Sequence, residues 1–239
     1  MRLSRFVVAS FLFFILSACF QTPYKDKMAA ADLRDAGMSR LAKSDIDEVI
    51  ELHQHAVMKD LKQLMIKLYQ RNPSQRFDKK KRSIITSVDL VFKRPYYYGY
   101  KHWEGMEGTD IIRLALDPDY HVNDRILPLI VGLRKMLMAS YENETQFYYL
   151  TDLNEQKLYN SARNIEMAAW LLSEKKDQQG RLLVMSDSLE QESRNLSFQR
   201  LIGKLIATQD NLASIISFKE GRVVKTVVIK AASMAFLPI

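Results

Sequence analysis

SDIDEVIELHQHAVMKDLKQLMIKLYQRNP, residues Ser44 to Pro73, is the stretch on which the fold class turns. Ile46, Val49, Ile50, His53, Val57, Leu61, Leu64, Met65 and Leu68 recur every three or four positions, which places them on one face of an α-helix. Ser44 stands where an N-cap belongs, with Asp47 three residues on and an acidic first turn that suits the unpaired N–H groups of a helix start. Pro73 has no amide proton to offer and closes the run.

His53 sits on this apolar stripe, and its spacing makes it a half-buried packing residue. His55 is two positions away and faces elsewhere, so the pair lacks the i, i+4 geometry of a helical metal site. His102 and His121 have no partner at ligand spacing either. Neither a metal nor a cofactor is expected.

Further helices follow downstream. A basic run, Lys79 to Arg82, precedes a short apolar helix from Ile84 to Phe92. Thr109 is placed to cap a helix from Asp110 to Leu116. The run ILPLIVGL within Asp124 to Ala139 reads as a buried central helix, with Pro128 near the first turn, where proline is tolerated. Eight apolar residues cannot span a bilayer. Asp152 and Glu155 resemble a capping box opening a helix to about Ser173, whose apolar side is Leu158, Ala162, Ile165, Ala169 and Leu172. Tyr159, Asn160, Arg163, Asn164 and Glu166 lie on its other faces, a cluster that could form a buried polar network or a ligand site, with a solvated face as the default reading. A last long helix runs from about Ser188 to Phe218 and stops at Gly221. The valines of the tail RVVKTVVIKAASMAFLPI (Arg222 to Ile239) would suit a strand, but Val223, Val224, Val227, Val228 and Ala231 also fit a helical stripe. In this helical context, helix is the reading adopted.

Composition agrees with long elements: 239 residues contain 8 glycines and 6 prolines, few for so long a chain. The expected fold is all-α, a multi-helix bundle or irregular helical array, as a single domain over 31–239. No internal repeat is visible. The irregular exception is RPYYYGYKHWEGMEG, Arg94 to Gly108, with four tyrosines, a tryptophan and three glycines. Its rings can cover helix ends. Alternatively Tyr98, Tyr100, Lys101 and Trp103 form a ligand-binding surface that stacks on sugar rings. The glycines before Thr109 lack the lysine and spacing of a phosphate loop.

Upstream of the long helix the chain changes character. Arg2 and Arg5 precede an uncharged apolar stretch, Phe6 to Ala18, which is short of the ~20 residues a membrane-spanning helix needs and ends in small residues. That order is the order of an export signal. Leu16, Ser17, Ala18 and Cys19 resemble the lipobox of bacterial lipoproteins. The resemblance implies cleavage between Ala18 and Cys19, removal of 1–18, acylation of the Cys19 thiol and a tether over 19–30. More than one acyl chain gives stable anchoring, so membrane lipid becomes the first partner. Phe20 is not the Asp of inner-membrane retention in enterobacteria-like lipoproteins, so the analogy favours the outer membrane, facing the periplasm. Cys19 is the one cysteine present, which excludes an intramolecular disulfide framework.

LMIKLYQRNP (Leu64 to Pro73), KLYNSARNIEMAAW (Lys157 to Trp170) and LSFQRLIGKLIATQDNLA (Leu196 to Ala213) are similar to stretches of a group of uncharacterised proteobacterial outer-membrane lipoproteins. The resemblance implies location and a helical fold and transfers no site residue.

The formal charge is +7, and +5 once Arg2 and Arg5 are removed. A basic surface is compatible with an anionic neighbour such as lipopolysaccharide or cell-wall polymer, or with none, while an exported chain is poorly placed to meet nucleic acid. Three readings of function follow. One is a non-enzymatic envelope protein that binds another envelope protein. The second is a binder of an anionic glycan or lipid through Arg94 to Trp103. The third is an envelope hydrolase, disfavoured because no nucleophile elbow, HExxH or free catalytic cysteine occurs, and Glu104 and Glu107 are an ordinary carboxylate pair. No catalytic residue is assigned.

Overall fold

The computed structural model describes residues 43–76, 78–148, 152–187, 196–221, 224 and 235–239. By its internal contacts the chain divides after Ala42, and the unit Lys43–Ile239 holds every described residue. Leu16 to Cys19, the tether over 19–30 and the rest of the chain before Lys43 lie outside the described residues.

Among the described residues six α-helices follow in order: α1 (Asp45–Arg71), α2 (Ile84–Lys93), α3 (Gly108–Ala115), α4 (Ile126–Ser140), α5 (Glu155–Glu174) and α6 (Ser197–Glu220), with one 3-10 turn at Lys101–Trp103. Among the described residues there is no strand beyond an isolated bridge between Lys176 and Leu182. The fold is all-α, as the spacing predicts.

The sequence signals act physically in α1. The Asp47 carboxylate accepts both the Ser44 N–H, at 2.8 Å, and the Ser44 hydroxyl, at 2.7 Å, fixing the helix start. Ile50, Val57, Leu61, Leu64, Met65 and Leu68 are buried along the stripe, and Tyr69 joins them. Burying each such side chain contributes about 1.5–3 kcal/mol. His53 is half-buried, with Nδ1 2.8 Å from the Val49 carbonyl oxygen, a packing residue as expected.

Helix α4 is the centre of the array, packing on α1, α3 and α5, while α6 lies against α1 and α5. Its start is held from the side. Asp124 Oδ1 accepts the N–H groups of Ile126 and Leu127, both at 3.0 Å, and Asp124 Oδ2 accepts the buried Tyr69 hydroxyl at 2.8 Å. One carboxylate thus caps α4 and pins it to the end of α1. Deeper in, the Gln209 side chain is fully buried. It accepts the Tyr141 hydroxyl at 2.7 Å and donates to the Ser140 and Ser161 hydroxyls at 3.0 and 2.6 Å, linking α4, α5 and α6.

Four expectations need correction. Helix α3 starts at Gly108 with Glu107 as N-cap, so Thr109 does not cap it. The reason is packing: the backbone at Gly108 lies against α4 at Gly132, and continuing the helix through Gly108 brings the two chains together. The cap of α5 is Asn154, not Asp152. Its Oδ1 accepts from the Gln156 and Lys157 amides at 2.9 and 3.2 Å, an Asx geometry that a residue two positions earlier cannot reach. The α5 face read as solvated is in part buried, at Asn160 and Asn164. Finally, Ala235–Ile239 of the tail is not helical, because its backbone is bonded to side chains of α5. The rest of that tail, except Val224, lies outside the described residues, as does the stretch 188–195 before α6. Gly221 ends α6 in the left-handed conformation, φ 62°, where a missing Cβ removes the steric cost.

Candidate functional site

The aromatic loop is tied down by one half-buried arginine. Arg134 of α4 donates to the carbonyls of Val91, Phe92 and Arg94 at 2.9, 3.4 and 3.0 Å, and its guanidinium lies 5.3 Å from the Phe92 ring centre. Those carbonyls belong to the end of α2, so one side chain fixes where the loop departs. Burial pulls this guanidinium below its usual pKa. On that base the Arg94 guanidinium sits 4.3 Å from the centre of the Tyr98 ring and 5.7 Å from that of Tyr100. Tyr98 meets Tyr100 edge-on at 5.1 Å, and Tyr100 meets Trp103 at 5.3 Å. The Trp103 indole N–H donates to the Tyr120 hydroxyl at 3.3 Å.

Of the four residues singled out in the sequence, three therefore share one continuous aromatic array with Arg94, and Lys101 stands exposed on the 3-10 turn. Trp103 and Tyr100 are half-buried, while Tyr98 is 44% exposed and Tyr97 74% exposed. Tyr98 is the exposed ring of the array, and Tyr97, which meets Tyr96 edge-on at 5.3 Å, is exposed next to it.

A second surface has no signal in the sequence pattern. The chain after α5 folds back on the end of α1 and leaves an open groove of about 1450 Å³ beside the Asp117–Arg125 connection. Asn72 holds that returning chain as a backbone would, donating to Met185 O at 2.7 Å and accepting Met185 N at 2.8 Å. Gln75 adds a bond to Leu183 O at 2.7 Å. On the opposite wall the Arg125 guanidinium donates to the carbonyls of Ala115, Asp117, Pro118 and Tyr120, at 2.6 to 3.4 Å. Burial lowers its pKa, partly offset by Asp117. At the rim, Asp177 accepts the amides of Gln179 and Arg181 and the Arg181 side chain, each at 2.9 Å, which holds its carboxyl below the usual range. His121, Lys176 and Arg181 are exposed around it. The Asn72 and Gln75 contacts join residues more than one hundred positions apart, which periodicity cannot reveal.

A third arrangement lies on α5. Asn164, fully buried, accepts the Leu237 amide at 2.6 Å and donates to the Leu237 carbonyl at 2.9 Å, while Asn160 donates to Pro238 O at 2.8 Å. Arg113 of α3 lies 5.7 Å from the Phe236 ring centre. On the neighbouring turn Arg163 bridges Glu166 at 3.1 Å and Asp210 of α6 at 2.6 Å. Burial and nearby Asp210 raise the Glu166 carboxyl, and Arg163 opposes that shift.

Among the described residues no group of His, Cys, Asp and Glu is arranged to hold a metal ion, and no helix is long and apolar enough to cross a membrane. No family model, curated protein or solved structure gives a significant match to this chain.

Proposed function

We propose that this chain is a lipid-anchored protein of the cell envelope, facing the periplasm from the outer membrane, whose helical unit works by binding another envelope protein. The observation that carries the reading is the sequence Leu16-Ser17-Ala18-Cys19 at the end of an uncharged apolar stretch. A thiolate is the nucleophile that can accept a diacylglyceryl group. Cys19 precedes the first described residue, Lys43, by 24 positions, so the helical unit can stand no more than roughly 80 Å from its anchor. The groove beside α1 suits docking, since Arg125 and Asp177 are spent on holding its walls.

The test is mass spectrometry of the native N-terminal peptide together with Cys19→Ser. The expected peptide begins at Cys19 and carries acyl chains, and the serine variant loses processing and membrane retention. A peptide that starts elsewhere or is bare of acyl chains refutes the anchor. Crosslinking in intact cells is expected to capture one defined envelope protein.

A second reading, binding of an anionic glycan such as lipopolysaccharide, is favoured by the exposed side chains of Tyr97 and Tyr98 near Arg94 and Lys101. Tyr98→Ala, alone and with Trp103→Ala, would then lower retention on immobilised glycan, and unchanged retention removes this reading.

A further inference from the structure

The geometry points to a peptide-binding clamp on α5, built from Asn160 and Asn164, that accepts an extended aromatic–aliphatic–proline segment of another polypeptide and is occupied at rest by this chain's own Phe236-Leu237-Pro238. The inference is independent of whether Cys19 is acylated.

The bonding pattern carries the argument. Asn164 offers one donor and one acceptor, and both go to a single residue: the amide N–H of Leu237 at 2.6 Å and its carbonyl at 2.9 Å. A side-chain amide used this way imitates a neighbouring β-strand, so it reads main chain and is indifferent to the side chain it holds. Asn160 then takes the next carbonyl, that of Pro238, at 2.8 Å, and needs no N–H there. Asn160 is itself braced from the preceding turn by Gln156, whose Nε2 donates to Asn160 Oδ1 at 2.9 Å. Asn164 is fully buried, so its amide is aimed by packing and not by chance.

These bonds define the guest. The clamped position must have an N–H, which excludes proline at the place of Leu237. The following position may be proline. The preceding position meets the Arg113 guanidinium with a ring, as Phe236 does at 5.7 Å. Phe236 and Ile239 pack on the core as partly buried residues, while Ala235 and Pro238 are exposed, so the resident segment covers the clamp without being sealed into it. A resident segment on the same chain competes at an effective concentration near millimolar. A guest presented at high local density can displace it.

The test uses the full chain in detergent micelles and the labelled octapeptide ASMAFLPI, which copies 232–239. Leu237→Pro removes the N–H that Asn164 accepts and should free the clamp. The labelled peptide is expected to bind this variant saturably and at least tenfold more tightly than the wild type, and to lose that binding when Asn164→Ala is added. A peptide with proline in place of Leu237 should not bind. A Leu237→Pro chain with wild-type helix content that gains no peptide binding overturns the proposal. Should that variant fail to fold, hydrogen exchange on the wild-type chain decides. Excess unlabelled peptide should accelerate exchange at the Leu237 amide severalfold, and an unchanged rate overturns the clamp. Concentration-dependent dimers that trade tails, with no gain in peptide binding, would assign the clamp to a second copy and overturn it equally.

Discussion

Gly108 and Gly132 meet backbone to backbone where α3 crosses α4. A Cβ on Gly132 would stand 2.8 Å from the Gly108 carbonyl oxygen and 2.9 Å from the Ile112 amide nitrogen, and one on Gly108 would stand 2.7 Å from the Gly132 oxygen. Main-chain atoms stand in the way on both sides, with the Ile112 side chain also 2.9 Å from a Gly132 Cβ, so rotating a side chain alone cannot relieve the clash. Gly132→Ala is therefore expected to destabilise the unit by about 2 kcal/mol, an overpacking cost of roughly 3 less the ~1 kcal/mol gained in helix propensity. Urea unfolding followed by circular dichroism checks this. A variant as stable as wild type would mean that the helices do not touch here.

The Gln209 network predicts non-additive stability. Gln209→Met leaves the buried Tyr141 hydroxyl without its acceptor and the Ser140 and Ser161 hydroxyls without their donor. The expected loss is about 3 kcal/mol. Adding Tyr141→Phe removes the stranded donor, so the double variant should be less destabilised than the two single losses combined, by about 1 kcal/mol. Additive losses in a thermodynamic cycle would refute the direct link.

Two tyrosines predict an alkaline limit. Burial raises the Tyr69 and Tyr141 hydroxyls above their usual value near 10, with Asp124 adding to the effect at Tyr69. In the unfolded chain both ionise near pH 10, so above that pH the unfolded state sheds protons that the folded state keeps. Stability present below pH 10 should fall as the pH rises further, by about 1.4 kcal/mol per pH unit for each group. Tyr141→Phe should halve the steepness. Absorbance at 295 nm would show the two buried rings ionising only as the protein opens.

Arg134 predicts an effect confined to the aromatic loop. Arg134→Met leaves the Val91, Phe92 and Arg94 carbonyls without their donor. A loss of about 2 kcal/mol is expected, with faster hydrogen exchange across residues 94–103 and helix content retained. Unchanged exchange there would show that the loop holds itself.

What the sequence made legible was local. Ser44 with Asp47, the stripe from Ile50 to Leu68 and the Gly221 stop all act within a turn or two, and each is found where its spacing says. What stayed hidden depends on partners far along the chain. Gly108 looked like a loop glycine because its reason for being small, Gly132, lies in another helix. Asn160 and Asn164 resembled a solvated face because polar residues usually are, and the segment that buries them comes more than seventy positions later. The groove is walled by Asn72 and Arg125 acting on main chain, and bonds to main chain leave no pattern in side-chain types. Tyr98, Tyr100 and Trp103 were found because aromatic density is visible in one dimension. Arg94, which joins Tyr98 and Tyr100 in three, was not singled out for that role.

The four carbonyls gathered by Arg125 have a consequence for anything that enters the groove. The guanidinium contributes a full positive charge to the wall, but its bonding directions point inward to Ala115, Asp117, Pro118 and Tyr120. An acidic visitor would feel attraction at a distance and find no fork of N–H groups to grip on arrival. Discrimination among visitors then falls to contour and to the exposed cations Lys176 and Arg181 at the rim, which makes the wall a rigid gatepost and leaves recognition to its neighbours.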